Sequence, residues 1–241
     1  MTLKDTCCVV TGAARGIGFA LASALHAAGA RVVLNDIDPD AVRTAAGRLG
    51  SGRALAVAGD IARAADVAAL LRDAEAAFGP VVVWINNAGL ARHRPIPDYT
   101  EAEIDLMLAV NLKGTILGSQ AALRAMAPRR RGHIVNIVST ASLRGVPTET
   151  VYCAAKWGAR GFTQGLREEA APFGVRVTAL LPGGVDTAFW DDAARDRDLP
   201  RDKWLRAEDI ASATLALLAL PDHAVPQELV LRAMHDRDFS S

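Results

Sequence analysis

Residues 6–18 read Thr6-Cys7-Cys8-Val9-Val10-Thr11-Gly12-Ala13-Ala14-Arg15-Gly16-Ile17-Gly18, an apolar run that ends in a glycine-rich turn. The run predicts a buried strand, and the segment after the turn has the spacing of a helix. Glycines let the backbone approach a pyrophosphate closely, and a helix N-terminus offers unpaired N–H groups. We therefore predict a phosphate-binding turn. Because the Gly-x3-Gly-x-Gly spacing differs from the common dinucleotide fingerprint, a turn that only packs the helix on the strand is the alternative.

Beyond this stretch, β-branched runs alternate with Ala- and Leu-rich amphipathic segments. Continuous apolar runs such as Val81 to Ile85 indicate strands buried on both faces. This order predicts an α/β fold: a single Rossmann-type doubly wound domain with a seven-stranded, mostly parallel sheet and helices on both faces. The predicted strands are Thr6 to Thr11, Arg31 to Asp36, Ala54 to Ala58, Val81 to Asn86, His133 to Val138, Val175 to Leu181 and Glu228 to Arg232. The predicted helices cover 17–28, 39–49, 62–77, 100–127, 150–172 and 207–219.

Length and composition agree with one domain over residues 1–241. The 241 residues are 51% hydrophobic and have zero formal net charge, so no electrostatic footprint favours nucleic acid or an anionic membrane. Three cysteines suit a reduced compartment, and we read no apolar stretch of about 18 residues, the length of a membrane span. We expect a cytoplasmic protein. The irregular segment 183–206 is expected to be a lid over a substrate, since long loops in compact domains are usually functional.

Acidic and amide residues follow the predicted strands at the carboxyl edge of the sheet, where ligands bind in such folds. Asp36 lies eighteen residues after Gly18, where a carboxylate accepts hydrogen bonds from ribose hydroxyls and repels a 2′-phosphate. This favours NAD over NADP, although Arg15 could serve a 2′-phosphate. Asp60 either accepts from an adenine amino group or caps the following helix. Asn86 to Gly89 follow the fourth strand.

A Ser, Tyr and Lys set provides candidate proton-transfer chemistry. Tyr152 and Lys156 share one helix face at i and i+4, and Ser139 follows the strand that ends at Val138. A neighbouring ammonium favours phenolate, so we expect Lys156 to lower the pKa of Tyr152 from about 10. Hydride transfer at a carbon requires a proton to leave or reach the attached oxygen, which Tyr152 can provide. Ser139 alone would be read as a strand-end cap.

In the order of these motifs the chain resembles the short-chain dehydrogenase/reductase family over essentially its whole length. The resemblance implies that Tyr152 is the general acid/base, Ser139 binds the substrate oxygen, Lys156 binds the nicotinamide ribose and Asn111 holds a proton-relaying water. It further implies that Pro182 to Thr187 cradle the nicotinamide. The full predicted cofactor set is Gly12, Arg15, Gly16, Ile17, Gly18, Asp36, Asp60, Ile61, Asn87, Ala88, Gly89, Tyr152, Lys156, Pro182, Gly183, Val185 and Thr187.

The leading hypothesis is an NAD-dependent enzyme that interconverts a secondary alcohol and a ketone. The alternatives are an NADPH-dependent carbonyl or 3-oxoacyl reductase and a non-catalytic NAD sensor.

The histidine spacing implies no metal. The resemblance implies a homodimer or homotetramer formed by the helices at 100–127 and 150–172, although the chain has Ala233-Met234 where many relatives carry a Gly-rich segment. Trp190 and Trp204 either cover an apolar substrate or anchor the loop on the core. The charged lid residues are expected to face water: Asp191, Asp192, Arg195, Asp196, Arg197, Asp198, Arg201, Asp202 and Lys203.

Overall fold

Seven strands form one sheet in the computed structural model, which describes residues 2–50, 52–191 and 201–234. The strands are β1 Cys7–Thr11, β2 Arg31–Asp36, β3 Ala54–Ala58, β4 Val81–Asn86, β5 Gly132–Ile137, β6 Val175–Pro182 and β7 Glu228–Leu231. Their order is β3-β2-β1-β4-β5-β6-β7, and every pair is parallel. The predicted fold class is confirmed, with an all-parallel sheet.

The strand order reverses next to β1. The chain proceeds from β1 to β2 and β3 on one side, then returns to place β4 on the other side, where Val10 pairs with Ile85. Ligands of open α/β sheets bind in the crevice at such a reversal, beyond the carboxyl ends of the strands. The topology therefore places the glycine turn after β1 and the amide residues after β4 beside one crevice.

Helices cover both faces of the sheet, as predicted. They are α1 Gly16–Ala27, α2 Pro39–Leu49, α3 Ala64–Phe78, α4 Glu101–Leu108, α5 Gly114–Met126, α6 Thr150–Ala170 and α7 Ala207–Ala219. One core includes Leu21 of α1 and Ile210 of α7. The opposite core includes Leu70 of α3, Met126 of α5 and Leu166 of α6. Burial on both faces explains why the strands read as continuous apolar runs.

The single helix predicted over 100–127 is wrong in one respect. Residues 109–113 form a π-helical turn between α4 and α5. The side chain of Asn111 lies in this turn, where its Nδ2 donates to Met107 O at 2.9 Å and to Leu90 O at 2.7 Å. Single π turns are frequent at functional sites. Hydrophobic periodicity did not reveal this turn because the helix axis continues through it.

The same helical run is longer and more apolar than the sequence reading allowed. By length and composition alone, residues 101–129 could cross a bilayer. In the folded chain Ala122 and Met126 of this run are fully buried, in a core that also contains Trp84 and Ile134 of the sheet. This segment packs as a core helix of the α/β layer.

Candidate active site

A cavity of about 830 Å³ opens at the carboxyl edge of the sheet. Every residue of the predicted cofactor set lines it, and Ser139 lines it as well. Of the predicted catalytic residues, Asn111 is the exception: Ala109 and Val110 form the wall there, and Asn111 is fully buried. The structure therefore brings the glycine turn, the acidic residues and the Ser, Tyr and Lys set to one cavity.

Two glycines of the turn, Gly12 and Gly18, leave no room for a side chain. A Cβ on Gly18 would lie 2.1 Å from the carbonyl oxygen of Gly12, and one on Gly12 would lie 2.7 Å from the Cα of Ala88. Gly12 also has φ +62°, which favours glycine. Within the described chain, α1 begins without a side-chain cap or an acidic residue in its first turn. Its first N–H groups and positive dipole end therefore suit a phosphate.

Asn87 fixes the position of the glycine turn. Its Nδ2 donates to Thr11 O at 2.9 Å and to Gly12 O at 3.1 Å. The backbone N–H groups of Asn87 and Ala88 donate to Thr11 Oγ1 at 3.0 and 3.1 Å. The residues at the end of β4 thus form hydrogen bonds with both the backbone and the side chain at the end of β1. Sequence reasoning placed Asn87 at the cofactor and missed this supporting role, together with that of Thr11.

The adenosine end of the cavity is rich in acceptors. Asp36 Oδ2 accepts from the Ala14 N–H at 3.1 Å, which holds the carboxylate at the cavity wall. Asp60 Oδ1 accepts from the Ala62 N–H at 2.9 Å, which fixes the turn before α3, and Asp60 also lines the cavity. The alternative role as the cap of the helix is wrong, because the N-cap of α3 is Arg63. Asn35 Oδ1, which the sequence reading missed, is buried without a hydrogen-bond partner in the described part of the chain. Together with the glycine turn, these groups fit a dinucleotide.

Tyr152 and Ser139 both line the cavity and lie within hydrogen-bond reach of each other. The Ser139 hydroxyl acts on the phenol through a hydrogen bond that opposes a rise in pKa. Burial, followed by the negative charge of Glu149, nevertheless raises the pKa of Tyr152 above its usual range. The expectation that Lys156 lowers this pKa is therefore wrong for the cofactor-free chain, because desolvation of the phenolate dominates. Ser139 Oγ also accepts from the Ala141 N–H at 3.1 Å, so the capping role coexists with its place in the site.

Lys156 lies behind the phenol ring. Its Nζ is 5.6 Å from the ring centroid of Tyr152 and donates to Ile137 O at 3.1 Å. Burial lowers the pKa of Lys156 to about 8. A Cβ on Gly89 would lie 2.8 Å from Asn111 Oδ1 and 3.7 Å from Lys156 Nζ. A glycine at this position therefore allows Asn111 and Lys156 to come close to each other.

The segment after β6 presents backbone groups to the cavity. Asp186 N–H donates to Leu205 O at 2.8 Å, and Leu205 N–H donates to Gly184 O at 3.0 Å. Because this bridge uses the groups of Gly184 and Asp186, the N–H and C=O of Val185 point away from Leu205. Thr187 lies beside the glycine turn, 3.5 Å from where a Cβ of Gly16 would be. Pro182, Gly183, Gly184, Val185 and Thr187 line the cavity, and their role as a nicotinamide cradle stays a prediction.

Arg201 holds the two described ends of the predicted lid together. Its guanidinium contacts Asp186 at 2.6 Å, Asp191 at 2.9 Å and the carbonyl oxygen of Thr187 at 3.0 Å. Trp190 and Trp204 both line the cavity, with ring centroids 5.0 Å apart. Of the charged lid residues, Asp192, Arg195, Asp196, Arg197 and Asp198 lie outside the described residues.

A buried carboxylate was missed by sequence reasoning. Glu149 lines the cavity one helical turn before Tyr152, and its Oε1 lies 3.6 Å from Nε2 of His93. The side chain of His93 is only 3% exposed and packs on Trp190 with ring centroids 5.1 Å apart. The spacing of Glu149 and Tyr152 is visible in the sequence, but the approach of His93 arises only in the fold.

Known proteins share this fold and arrangement. Residues 6–198 match the family model described as short chain dehydrogenase. An uncharacterized oxidoreductase of Staphylococcus aureus strain N315 is 39% identical over 231 residues, which cover 95% of this chain and 98% of that protein.

Two solved structures resemble the whole chain at 30% sequence identity and a TM-score of 0.87. One is an alcohol dehydrogenase from the archaeon Thermococcus sibiricus in complex with 5-hydroxy-NADP; the match covers 96% of this chain and 98% of that one. The other is a 3-ketoacyl-(acyl-carrier-protein) reductase from Brucella melitensis in complex with NADH, where the match covers 95% and 97%.

Fold and cavity thus define a nicotinamide-cofactor oxidoreductase built on one parallel sheet. The chain belongs to the short-chain dehydrogenase/reductase family.

Proposed function

We propose that this oxidoreductase interconverts a secondary alcohol and a ketone with NAD(H), and that Tyr152 is its general acid/base. The observation that carries the proposal is the pairing of the Tyr152 phenol with the Ser139 hydroxyl in the wall of the cavity, with the Lys156 ammonium buried behind the ring. Such a set can exchange a proton with a substrate oxygen held between the two hydroxyl groups.

The residues of the chain divide the work of ketone reduction. A bound nicotinamide cofactor supplies the hydride. Ser139 donates a hydrogen bond that fixes the ketone oxygen, and Tyr152 gives its phenol proton to that oxygen. With its raised pKa the phenol is protonated at neutral pH, which is the form that can give a proton to the substrate oxygen. The Lys156 ammonium lies behind the ring and stabilises the phenolate that remains. Asn111 is proposed to support the path by which Tyr152 recovers a proton.

The proposed preference for NAD rests on Asp36. Its carboxylate is held at the adenosine end of the cavity by Ala14 N–H, where it repels a 2′-phosphate. Ile37, which is 70% exposed, offers no positive charge there. A specific observation favours the second candidate, an NADPH-dependent reductase: Arg15 also lines the cavity, and the similar alcohol dehydrogenase carries an NADP derivative.

Three further features belong to the proposal. The chain acts as one domain with residues 183–206 as its lid, supported by Trp190 and Trp204 in the cavity wall. It assembles as a homodimer or homotetramer through α4, α5 and α6, supported by Leu106 at 43% exposure on α4 and Trp157 at 49% on α6. It works in the cytoplasm on a small molecule, without nucleic acid or membrane. The three free, buried thiols support a reducing compartment.

The test follows formation of reduced cofactor with NAD and NADP in parallel. The panel contains secondary alcohols, diols, steroids and hydroxyacyl thioesters. Turnover with NAD at a higher kcat/KM than with NADP supports the proposal, and a preference for NADP supports the second candidate. Tight NAD binding without turnover of any compound would instead favour a dinucleotide sensor.

A further inference from the structure

The substrate half of the cavity combines an aromatic wall with a buried carboxylate. Phe189, Trp190 and Trp204 line it, and the ring of Phe189 lies 5.8 Å from that of Tyr152 and 5.4 Å from that of Trp190. These rings suit an apolar, flat part of a substrate. Glu149 lies on the same wall and is itself buried. An apolar substrate alone does not require a carboxylate at this position.

The charge of Glu149 reaches the reacting group. It is the second largest cause, after burial, of the raised pKa of Tyr152, so the carboxylate lies near the phenol. The Glu149 carbonyl accepts the Cys153 N–H at 2.7 Å, which places Glu149 and Tyr152 one turn apart at the start of α6. The Cβ atoms of residues at this spacing are about 5–6 Å apart. A substrate whose oxygen contacts Tyr152 can therefore present a neighbouring group to Glu149.

The fold holds this carboxylate in place from behind. His93 Nε2 lies 3.6 Å from Glu149 Oε1, and the imidazole packs between Trp190 and Phe189 at centroid distances of 5.1 and 6.3 Å. Burying a carboxylate costs free energy unless donors surround it. An ionised carboxylate only accepts hydrogen bonds, so a substrate group that meets it must donate one.

We infer that Glu149 is a specificity-determining residue, and that the substrate carries a hydrogen-bond-donating group, a hydroxyl or an ammonium, on the carbon adjacent to the reacting carbon. This inference rests on the proposed function and names the substrate class for that site. The aromatic wall receives the body of the substrate, Tyr152 and Ser139 receive the reacting oxygen, and Glu149 receives the neighbouring donor.

The test compares three alcohols that differ only in the group beside the carbinol: methylphenylcarbinol, phenylethylene glycol and phenylethanolamine. With the parent protein we expect kcat/KM to be at least about tenfold higher for the glycol or the amine, because a hydrogen bond to a charged group discriminates to that extent. Glu149→Leu should abolish this preference. Glu149→Gln, which keeps the shape without the charge, should retain a preference for the glycol and lose one for the amine. The preference that remains in Glu149→Gln therefore identifies the donor as a hydroxyl or an ammonium.

Since the substituents also alter intrinsic reactivity, the change in preference between parent and variant decides the outcome. The matched control is Glu169→Gln, an exposed carboxylate on the same helix, which should leave the preference unchanged. A ratio of kcat/KM values among the three alcohols that is the same in the parent and in Glu149→Leu would overturn the inference.

A binding experiment separates this inference from the proposed function. In the Tyr152→Phe background with NADH bound, dissociation constants for acetophenone, α-hydroxyacetophenone and α-aminoacetophenone are measured by calorimetry, with and without Glu149→Leu. We expect the substituted ketones to bind at least tenfold more tightly only when Glu149 is present. Absence of turnover with this binding pattern would refute the reaction and support the role of Glu149. Turnover together with three equal dissociation constants would support the reaction and overturn the role of Glu149.

Discussion

Asn136 on β5 donates a hydrogen bond from its Nδ2 to Thr163 Oγ1 on α6, at a distance of 2.9 Å, and both side chains are fully buried. Asn136 Oδ1 in turn accepts from Asn86 Nδ2 at 2.8 Å, which extends the connection to β4. Since β5 leads into Ser139 and α6 carries Tyr152, this polar contact joins the two elements that present the proposed catalytic hydroxyls.

Thr163→Val tests this contact. Valine has nearly the shape of threonine but cannot accept the Asn136 hydrogen bond, so a buried donor is left unpaired. We expect the free energy of unfolding to fall by about 1–3 kcal/mol, measured by equilibrium denaturation. The control is Thr150→Val, at an exposed position of the same helix, which should change stability by less than about 0.5 kcal/mol. Equal effects of both substitutions would contradict a special contribution of the Asn136 contact.

His133 makes stability depend on pH in the acid range. It is fully buried, and burial, with a contribution from the charge of Arg176, lowers its pKa to about 3. Thr178 Oγ1 donates to Pro226 O at 2.8 Å, so His133 Nε2 donates to Thr178 Oγ1 at 2.9 Å and the ring is neutral. The unfolded chain takes up this proton near pH 6.5, whereas the folded chain does not until about pH 3.

Stability from His133 is therefore lost as the pH falls below 6.5. Between pH 7 and pH 5 the loss amounts to about 2 kcal/mol. His133→Gln, which cannot titrate, should show a correspondingly smaller decrease in unfolding free energy between these two pH values. His223→Gln is the control, at an exposed position after α7, and should follow the parent. A parallel pH dependence of parent and His133→Gln would show that His133 is not the group responsible.

Asp36 is predicted to set the choice of cofactor. Asp36→Ala removes the charge that repels a 2′-phosphate, so kcat/KM with NADP should rise at least about tenfold relative to that with NAD. The control is Asp38→Ala, which removes an acidic residue two positions away. Asp38 caps α2 by accepting from Asp40 N–H and Ala41 N–H, so its loss should lower stability without changing the cofactor ratio. A parent protein that already prefers NADP would contradict this role of Asp36.

Features set by residues close together in the sequence could be predicted from it, whereas features set by contacts between distant residues could not. Buried strands and the glycine turn leave local patterns, and the structure places each within a few residues of its prediction. The π turn at 109–113 left no such local pattern, because it is formed around contacts of Asn111 to Leu90 and Met107. No periodicity in the sequence reveals these contacts. Glu149 was overlooked for the same reason, since His93 and Trp190 reach it only in the folded chain.

The pKa of Tyr152 shows a second limit of sequence reasoning. The i, i+4 spacing correctly places Lys156 on the same side of α6, and it suggested a stabilised phenolate. Burial of the phenol outweighs that effect, and burial is a property of the whole fold. The sequence therefore predicted which groups meet, whereas the direction of the pKa change required the surrounding structure.

Lys156 should limit ketone reduction at alkaline pH. Its pKa is lowered to about 8 by burial, so the ammonium is present below pH 8 and is lost as the pH rises through that value. The phenol of Tyr152, with its raised pKa, stays protonated over the same range. We expect kcat/KM for reduction to be flat below pH 8 and to fall about tenfold per pH unit above it. Lys156→Arg, which stays charged, should be slower, but its kcat/KM should not depend on pH above pH 8. If the decline above pH 8 persists in this variant, another group is responsible for it.

Tyr152→Phe should stop the reaction while leaving the cavity intact. Only the phenol oxygen is removed, so the general acid is lost but the packing against Phe189 remains. We expect kcat to fall by about 10²–10⁴-fold, with NAD affinity, measured by fluorescence titration, within about threefold of the parent. Tyr99→Phe is the control at the only other tyrosine, whose hydroxyl donates to the carbonyls of Arg92 and Thr148 and lies outside the proposed chemistry. It should retain activity within about tenfold, whereas comparable activity in Tyr152→Phe would remove Tyr152 from the catalytic step.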